Sequence, residues 1–162
     1  MINGDVSLEV DVARQELYLW LAGALACVYP VSTARNGTGQ EQGSFRTPLG
    51  WHKIRAKIGA GAPPGAVFRG RRPTGEIYSA DLAALHPERD WILSRILWLD
   101  GCEPGYNRYG KVDTGQRYIY IHGAPDETVN GTAQSHGCVR MRNADVIDLY
   151  QRAPLGTRVL IR

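Results

Sequence analysis

Turn formers interrupt this chain from end to end. Gly supplies 19 and Pro 9 of its 162 residues. Pro removes a backbone donor and Gly carries an entropic cost, so long helices do not survive such frequent breaks. Short strands joined by tight turns do. The apolar pattern agrees: Val6, Leu8, Val10 and Val12 alternate with polar residues and share one strand face. Glu16–Leu21 and Ala24–Val31 read as a hairpin reversing at Ala22-Gly23. Trp51–Lys57, Arg117–His122, Cys138–Met141 and Thr157–Ile161 read as further strands. Trp91–Leu99 is a buried strand or a short helix, and periodicity does not separate the two. Gly59–Gly65 is irregular, Arg69–Gly75 is a basic turn region, and Gly101–Gly115 is a long loop. Ser79 caps one helical turn at Ala80–Leu85, and Asn143 caps the main helix, Ala144–Arg152. The expected fold is therefore mostly β, a barrel or sandwich with one main C-terminal helix.

Residues 1–162 are expected to form a single domain, at roughly 150 residues per domain. Hydrophobic residues at 43% and charged residues at 22% exclude a disordered chain, a collagen and a coiled coil. A formal net charge of +3 is too mild to imply nucleic acid. Leu17–Val31 is almost wholly apolar, yet it falls short of the ~20 residues of a spanning helix, so no integral membrane segment is expected. The residues before it are acidic, which does not suit a signal peptide. No export signal or lipid anchor is visible, so either the protein is cytoplasmic or its leader has been removed. Arg46, Lys53, Arg55, Lys57, Arg69, Arg71 and Arg72 form a run with no acid among them. It reads as a solvated face, or as a surface that meets an anionic polymer.

The three cysteines, Cys27, Cys102 and Cys138, are odd in number, so at least one thiol is free in a monomer. Cys27 in an apolar strand and Cys102 in a loop read as packing or incidental thiols. His52 and His86 read as surface or structural residues. Cys138 differs because two histidines lie near it, His122 at a strand end and His136 in the run His136-Gly137-Cys138. An ordinary thiol is only a few per cent thiolate at neutral pH, and an imidazole raises its reactivity by accepting the proton or holding an ion pair. Gly137 permits a sharp turn whose N–H groups, from Gly137, Cys138 and His136, suit an oxyanion hole. The competing reading for these residues is a buried thiol beside a core histidine.

The segment resembles the signature of the L,D-transpeptidase catalytic domain family. His122-Gly123 ends a strand, and Ser135-His136-Gly137-Cys138-Val139-Arg140-Met141 follows a variable loop, with Asn143 and Asp145 beyond. Weaker similarity covers the opening strands, the Thr47-Pro48-Leu49-Gly50 turn and the closing helix and strand. The resemblance implies a mostly β catalytic domain, an L,D-transpeptidase-type barrel or sandwich of mixed sheets. It implies Cys138 as nucleophile, His122 as general base and then acid, the Gly123 carbonyl as orienter of the His122 ring, and His136 and Gly137 as shapers of the oxyanion turn. It implies that Arg140 holds the loop or binds a substrate carboxylate. Further candidate substrate contacts are Tyr106, Tyr120 and Ser135, with Tyr109, Arg95 and Arg117 behind them. The implied reaction is attack on the L,D-bond after the third residue of a peptidoglycan stem peptide, then transfer to an amine, and the implied location is the periplasm or cell envelope. No cofactor is required and a monomer is expected. The short loop between His122 and Ser135 implies a small cover over the site. Two alternatives stay open: an L,D-carboxypeptidase or hydrolase on the same thiol, and a zinc hydrolase with His122, His136 and Cys138 as ligands.

Overall fold

The computed structural model describes residues 5–162. Ten strands form one mixed sheet: β1 (Val6–Asp11), β2 (Glu16–Leu21), β3 (Ala24–Ser32), β4 (Gly50–Ile58), β5 (Ala66–Arg69), β6 (Arg72–Ile77), β7 (Ile92–Gly101), β8 (Tyr120–Gly123), β9 (Val139–Met141) and β10 (Arg158–Ile161). The order is β4-β10-β1-β2-β3-β9-β8-β7, and β7 also pairs with β4, so eight strands close on themselves. The β5–β6 hairpin hangs from the start of β7 outside that ring. Pairing is parallel for β1 with β10 and for β8 with β9, and antiparallel elsewhere. Closure removes the unpaired edges that a sheet of this length would otherwise expose.

Alternation fills the barrel. Leu8, Val10, Leu17, Leu19, Leu97 and Ile121 point inward and are essentially solvent-free. Helix α2 (Asn143–Arg152) packs Val146 and Leu149 into the same core. Gly123 lies so close to the Leu93 carbonyl and Val146 that a side chain there would collide with both. The apolar Leu17–Val31 run is the β2–β3 hairpin, with Ala22 and Gly23 at its turn in left-handed conformation. No helix among the described residues is long and apolar enough to cross a membrane.

Four local readings change. Trp91–Leu99, ambiguous by periodicity, is the long strand β7, because it is paired along both edges. The basic region Arg69–Gly75 belongs to the β5–β6 hairpin, whose tip Gly70-Arg71 is left-handed at both residues. The strand expected from Arg117 begins only at Tyr120, because Tyr118 takes φ 56° and breaks the extended run. Asn143 is the first residue of α2 and does not cap it. Arg142 holds the cap position, and the Asn143 amide donates to the Ala124 carbonyl and Asp126 while accepting from Ser94 Oγ. Ser79 does cap α1 (Ala80–Leu85), accepting from the Leu82 N–H at 3.0 Å.

His52, on β4, is fully buried. Its Nδ1 donates to the Gly50 carbonyl at 3.0 Å and its Nε2 meets Thr114 Oγ1 at 3.0 Å. Burial is the main cause that pushes its pKa down from 6.5 to about 4. The folded state therefore keeps this ring neutral while the unfolded chain protonates it, so stability falls as the pH drops from 6.5 towards 4. The loss over that window is about 3 kcal/mol at most. Urea midpoints measured across it are expected to decline. His52→Asn, which cannot take up a proton, is expected to be less stable at pH 7 but to show a shallower decline. An equal slope in the variant would remove His52 as the cause.

Candidate active site

Strands β8 and β9 bring the chemistry together. In their parallel register Ile121 pairs with Val139 and His122 with Arg140. Ile121 and Val139 point into the core, so their alternate neighbours Tyr120, His122, Cys138 and Arg140 share the outer face. Cys138 thus stands beside Tyr120 and diagonal to His122. On β7 the residues opposite are Ile96 and Trp98, on the same outer face. These form a second apolar cluster, covered by Ala66 and Phe68 of β5, with Cys138 packed against it. The site lies between the barrel wall and the hairpin.

Each reacting side chain is fixed locally. His122 is buried, and its Nδ1 lies 2.7 Å from the Gly123 carbonyl. A carbonyl only accepts, so Nδ1 carries the proton and Nε2 is left with its lone pair. Burial holds this imidazole below its ordinary pKa, the backbone bond and Asp90 opposing and Arg140 assisting. The Cys138 sulfur accepts from the Tyr120 N–H at 3.3 Å and lies 3.5 Å from the Tyr118 carbonyl. Burial pushes the thiol up to about 12, while the Tyr120 N–H, Arg140 and Arg117 pull it down. At neutral pH the pair is therefore a neutral thiol and a neutral imidazole.

The turn before Cys138 is built from inside. Ser135 is buried, and its hydroxyl donates to the Cys138 carbonyl at 2.6 Å while accepting from the Gly137 N–H at 3.1 Å. Thr47 Oγ1, from the Thr47-Pro48-Leu49-Gly50 turn, donates to the Gly137 carbonyl at 2.9 Å. Gly137 takes φ 134°, and a Cβ there would sit 3.1 Å from Ile119 Cδ1 and 3.3 Å from the Arg46 carbonyl. Only glycine fits that backbone. The Gly137 N–H is engaged by Ser135, which leaves the N–H groups of His136 and Cys138 as the candidate oxyanion donors.

The cover comes from a part of the chain where the sequence shows little order. Arg71, at the tip of the β5–β6 hairpin, donates to Tyr120 Oη at 2.9 Å. Its guanidinium lies over the rings of Trp98 and Tyr118, at 4.8 and 4.9 Å. Arg55 approaches Trp98 at 4.1 Å. The cover is thus larger than the His122–Ser135 loop implies, because another segment supplies it.

Other candidates fall elsewhere. Tyr106 packs beside Gly50, the first residue of β4, whereas Trp98 pairs with Ala56 farther along that strand. Six residues of strand, about 20 Å, separate those two positions along β4. Tyr109 is exposed on the same loop. Arg117 spends its guanidinium on the carbonyls of Gly39, Gln40 and Arg46, and Arg95 on those of Ala62 and Ser94. Both hold loops. His136 is two-thirds exposed and lies 3.6 Å from Asp90, apart from buried His122. Among the described residues no three His, Cys, Asp or Glu side chains converge as metal ligands, so the zinc reading loses its donor set. Arg140 pairs with Asp90 at 2.9 Å. Nothing in the sequence pattern singles out Asp90, which lies 48 positions before Cys138 and reaches it only through the fold.

Residues 5–161 match the family model described as the L,D-transpeptidase catalytic domain. Two Bacillus subtilis proteins named as L,D-transpeptidases, YqjB and YkuD, are 48% identical over 48 residues and 51% identical over 46. Those stretches cover 30% and 28% of this chain and 27% and 28% of the relatives, so the match spans about a quarter of their length. The fold aligns over 98% of this chain with an L,D-transpeptidase from Xylanimonas cellulosilytica, at TM-score 0.58, 20% identity and 61% of that chain. It aligns over 98% with L,D-transpeptidase 3 from Mycobacterium tuberculosis, solved with a faropenem-derived adduct, at TM-score 0.61, 14% identity and 60% of that chain. With the family model matched across nearly its whole length, the chain belongs to the L,D-transpeptidase catalytic domain family.

Proposed function

We propose that this domain is a cysteine-dependent L,D-transpeptidase acting on peptidoglycan stem peptides in the cell envelope, with residues 1–162 as one catalytic domain. The observation that carries the reading is the placement of Cys138 and His122 as diagonal neighbours on one sheet face. The Gly123 carbonyl fixes the proton of that ring on Nδ1. Family membership supplies the substrate class.

The steps follow from those protonation states. Cys138 Sγ attacks the carbonyl carbon of the L,D-bond as its proton moves to His122 Nε2. The carbonyl oxygen becomes an oxyanion beside the N–H groups of the 136–138 turn. The C–N bond then breaks, the leaving amine takes the proton back from Nε2, and a thioester remains on Cys138. An acceptor amine attacks the thioester and gives its proton to Nε2. The C–S bond breaks and the sulfur recovers the proton. The partly buried site suits this scheme, because no charge is held between turnovers. Of the sequence candidates, Tyr120 lines the site beside the sulfur, and Ser135 serves the turn.

Cys138→Ala is expected to abolish conversion of a tetrapeptide stem while its unfolding midpoint stays near the parent's. Incubation with a carbapenem is expected to add one drug mass, and peptide mapping to place it on Cys138. An adduct on Cys27 or Cys102 in its place would overturn the assignment. Supplying the stem with and without an amine acceptor separates transfer from hydrolysis: a free tripeptide as sole product in both cases would make the protein an L,D-carboxypeptidase.

Gly137→Ala forces the turn out of its left-handed conformation. A fall in kcat of about a hundredfold, the scale of one misplaced oxyanion donor, is expected with little change in KM. Activity retained in that variant would place the oxyanion donors elsewhere.

A further inference from the structure

We propose that Asp90 is a positioning residue for the Cys138 loop, its carboxylate holding His136 and Arg140 on either side of the thiol and setting the charge around the Cys138–His122 pair. The inference deepens the acyl-transfer reading and rests on it for the names of the two reacting groups.

Asp90 lies in the short segment between α1 and β7. Its Oδ1 accepts from Arg140 Nη2 at 2.9 Å, and its Oδ2 lies 3.6 Å from His136 Nδ1. His136 stands two residues before Cys138 and Arg140 two residues after it. One carboxylate therefore reaches both flanks of Cys138, by a hydrogen-bonded ion pair to Arg140 and by a longer approach to His136. The Arg140 side chain is only 12% exposed, so its pair with Asp90 is partly desolvated. Such a charge-assisted contact holds more firmly than an ordinary surface ion pair.

The charge pattern makes the carboxylate more than a clamp. Arg140 stands opposite His122 in the β8–β9 register. Facing the pair are Arg140 from β9, Arg117 and Tyr118 from the segment before β8, Tyr120 from β8, and Arg71 through Tyr120. Asp90 is the acid in that group. When His122 takes the thiol proton it becomes an imidazolium beside the Arg140 guanidinium. Asp90 offsets that repulsion, and the same negative charge disfavours a free thiolate before substrate arrives. It thus favours proton transfer to His122 during attack over a standing thiolate.

Asp90→Asn keeps the shape and removes the charge, and Asp90→Glu keeps the charge. Asp90 is 43% exposed, so both variants are expected to fold. Asp90→Ser serves as a second neutral variant should Asn fail. Iodoacetamide alkylation of Cys138, followed by mass spectrometry as a function of pH, reads the thiol without any wall substrate. The neutral variant is expected to shift the alkylation limb down by about half a pH unit, which is about threefold faster alkylation on the limb. Carbapenem acylation, which needs His122 as proton acceptor, is expected to slow about tenfold, and Asp90→Glu is expected to restore both. An unshifted alkylation limb in the neutral variants would overturn the proposal even if acylation fell, since a merely structural role leaves the limb in place. Failure of the parent protein to transfer stem peptides would instead refute the acyl-transfer reading, and the alkylation limb would still decide Asp90.

Discussion

Pairing of Ile121 with Val139 is the constraint on which the site depends. Both side chains are fully buried in the barrel core, and that burial locks the parallel register of β8 and β9. Strand side chains alternate with a period of two, so a slip of one residue would turn Cys138 or His122 inward and expose an isoleucine or a valine. Each such side chain is worth about 2 kcal/mol when fully buried. The packing energy of ordinary aliphatic residues therefore keeps a thiol and an imidazole on the same outer face. The strand neighbours share in this: β7 pairs Leu97 with Ile121 inside and Trp98 with Tyr120 outside.

Burial also decides the chemistry. A thiol in water and an imidazole in water differ by about two pKa units, so proton transfer between them is mildly uphill. Here the apolar cluster of Phe68, Ile96 and Trp98 raises the thiol and lowers the imidazole, which widens that gap in the resting state. In the proposed acyl transfer, backbone N–H groups of the turn and the Tyr120 N–H at the sulfur are the groups placed to offset that cost. Ser135 and Thr47 hold that turn from beneath, and their hydrogen bonds explain why a serine and a threonine are fully buried there.

The motif was legible because it is local. Ser135 to Met141 is a continuous run, and His122 sits at the end of a strand whose β formers are unmistakable. The hairpin of Glu16–Leu21 and Ala24–Val31 and the closing strand were legible from alternation and turn chemistry. What sequence could not show depends on pairing at a distance. β7 has no clean period because it is paired on both edges and apolar on both faces. The β5–β6 hairpin carries Pro73, Thr74 and Gly75 on an exposed edge strand, so neither period nor propensity marks it. Tyr106 looked like a groove residue because long loops often serve sites, yet its loop folds back on Gly50 at the far end of β4. Asp90 is an acid in a short polar segment, and only the closure of the barrel brings it to Arg140.

The arrangement of the cover bears on access. β5 meets β7 through only the Val67–Leu93 and Phe68–Ile92 pairs, and β6 is exposed along most of its length. The barrel strands beside it are paired on two edges. The hairpin is anchored mainly by β5, whose Ala66, Val67 and Phe68 are buried against the wall, while β6 adds little. Arg71 adds to that anchoring at the hairpin tip. Its bond to Tyr120 and its place over Trp98 and Tyr118 tie the hairpin tip to the residues whose backbone cradles the sulfur.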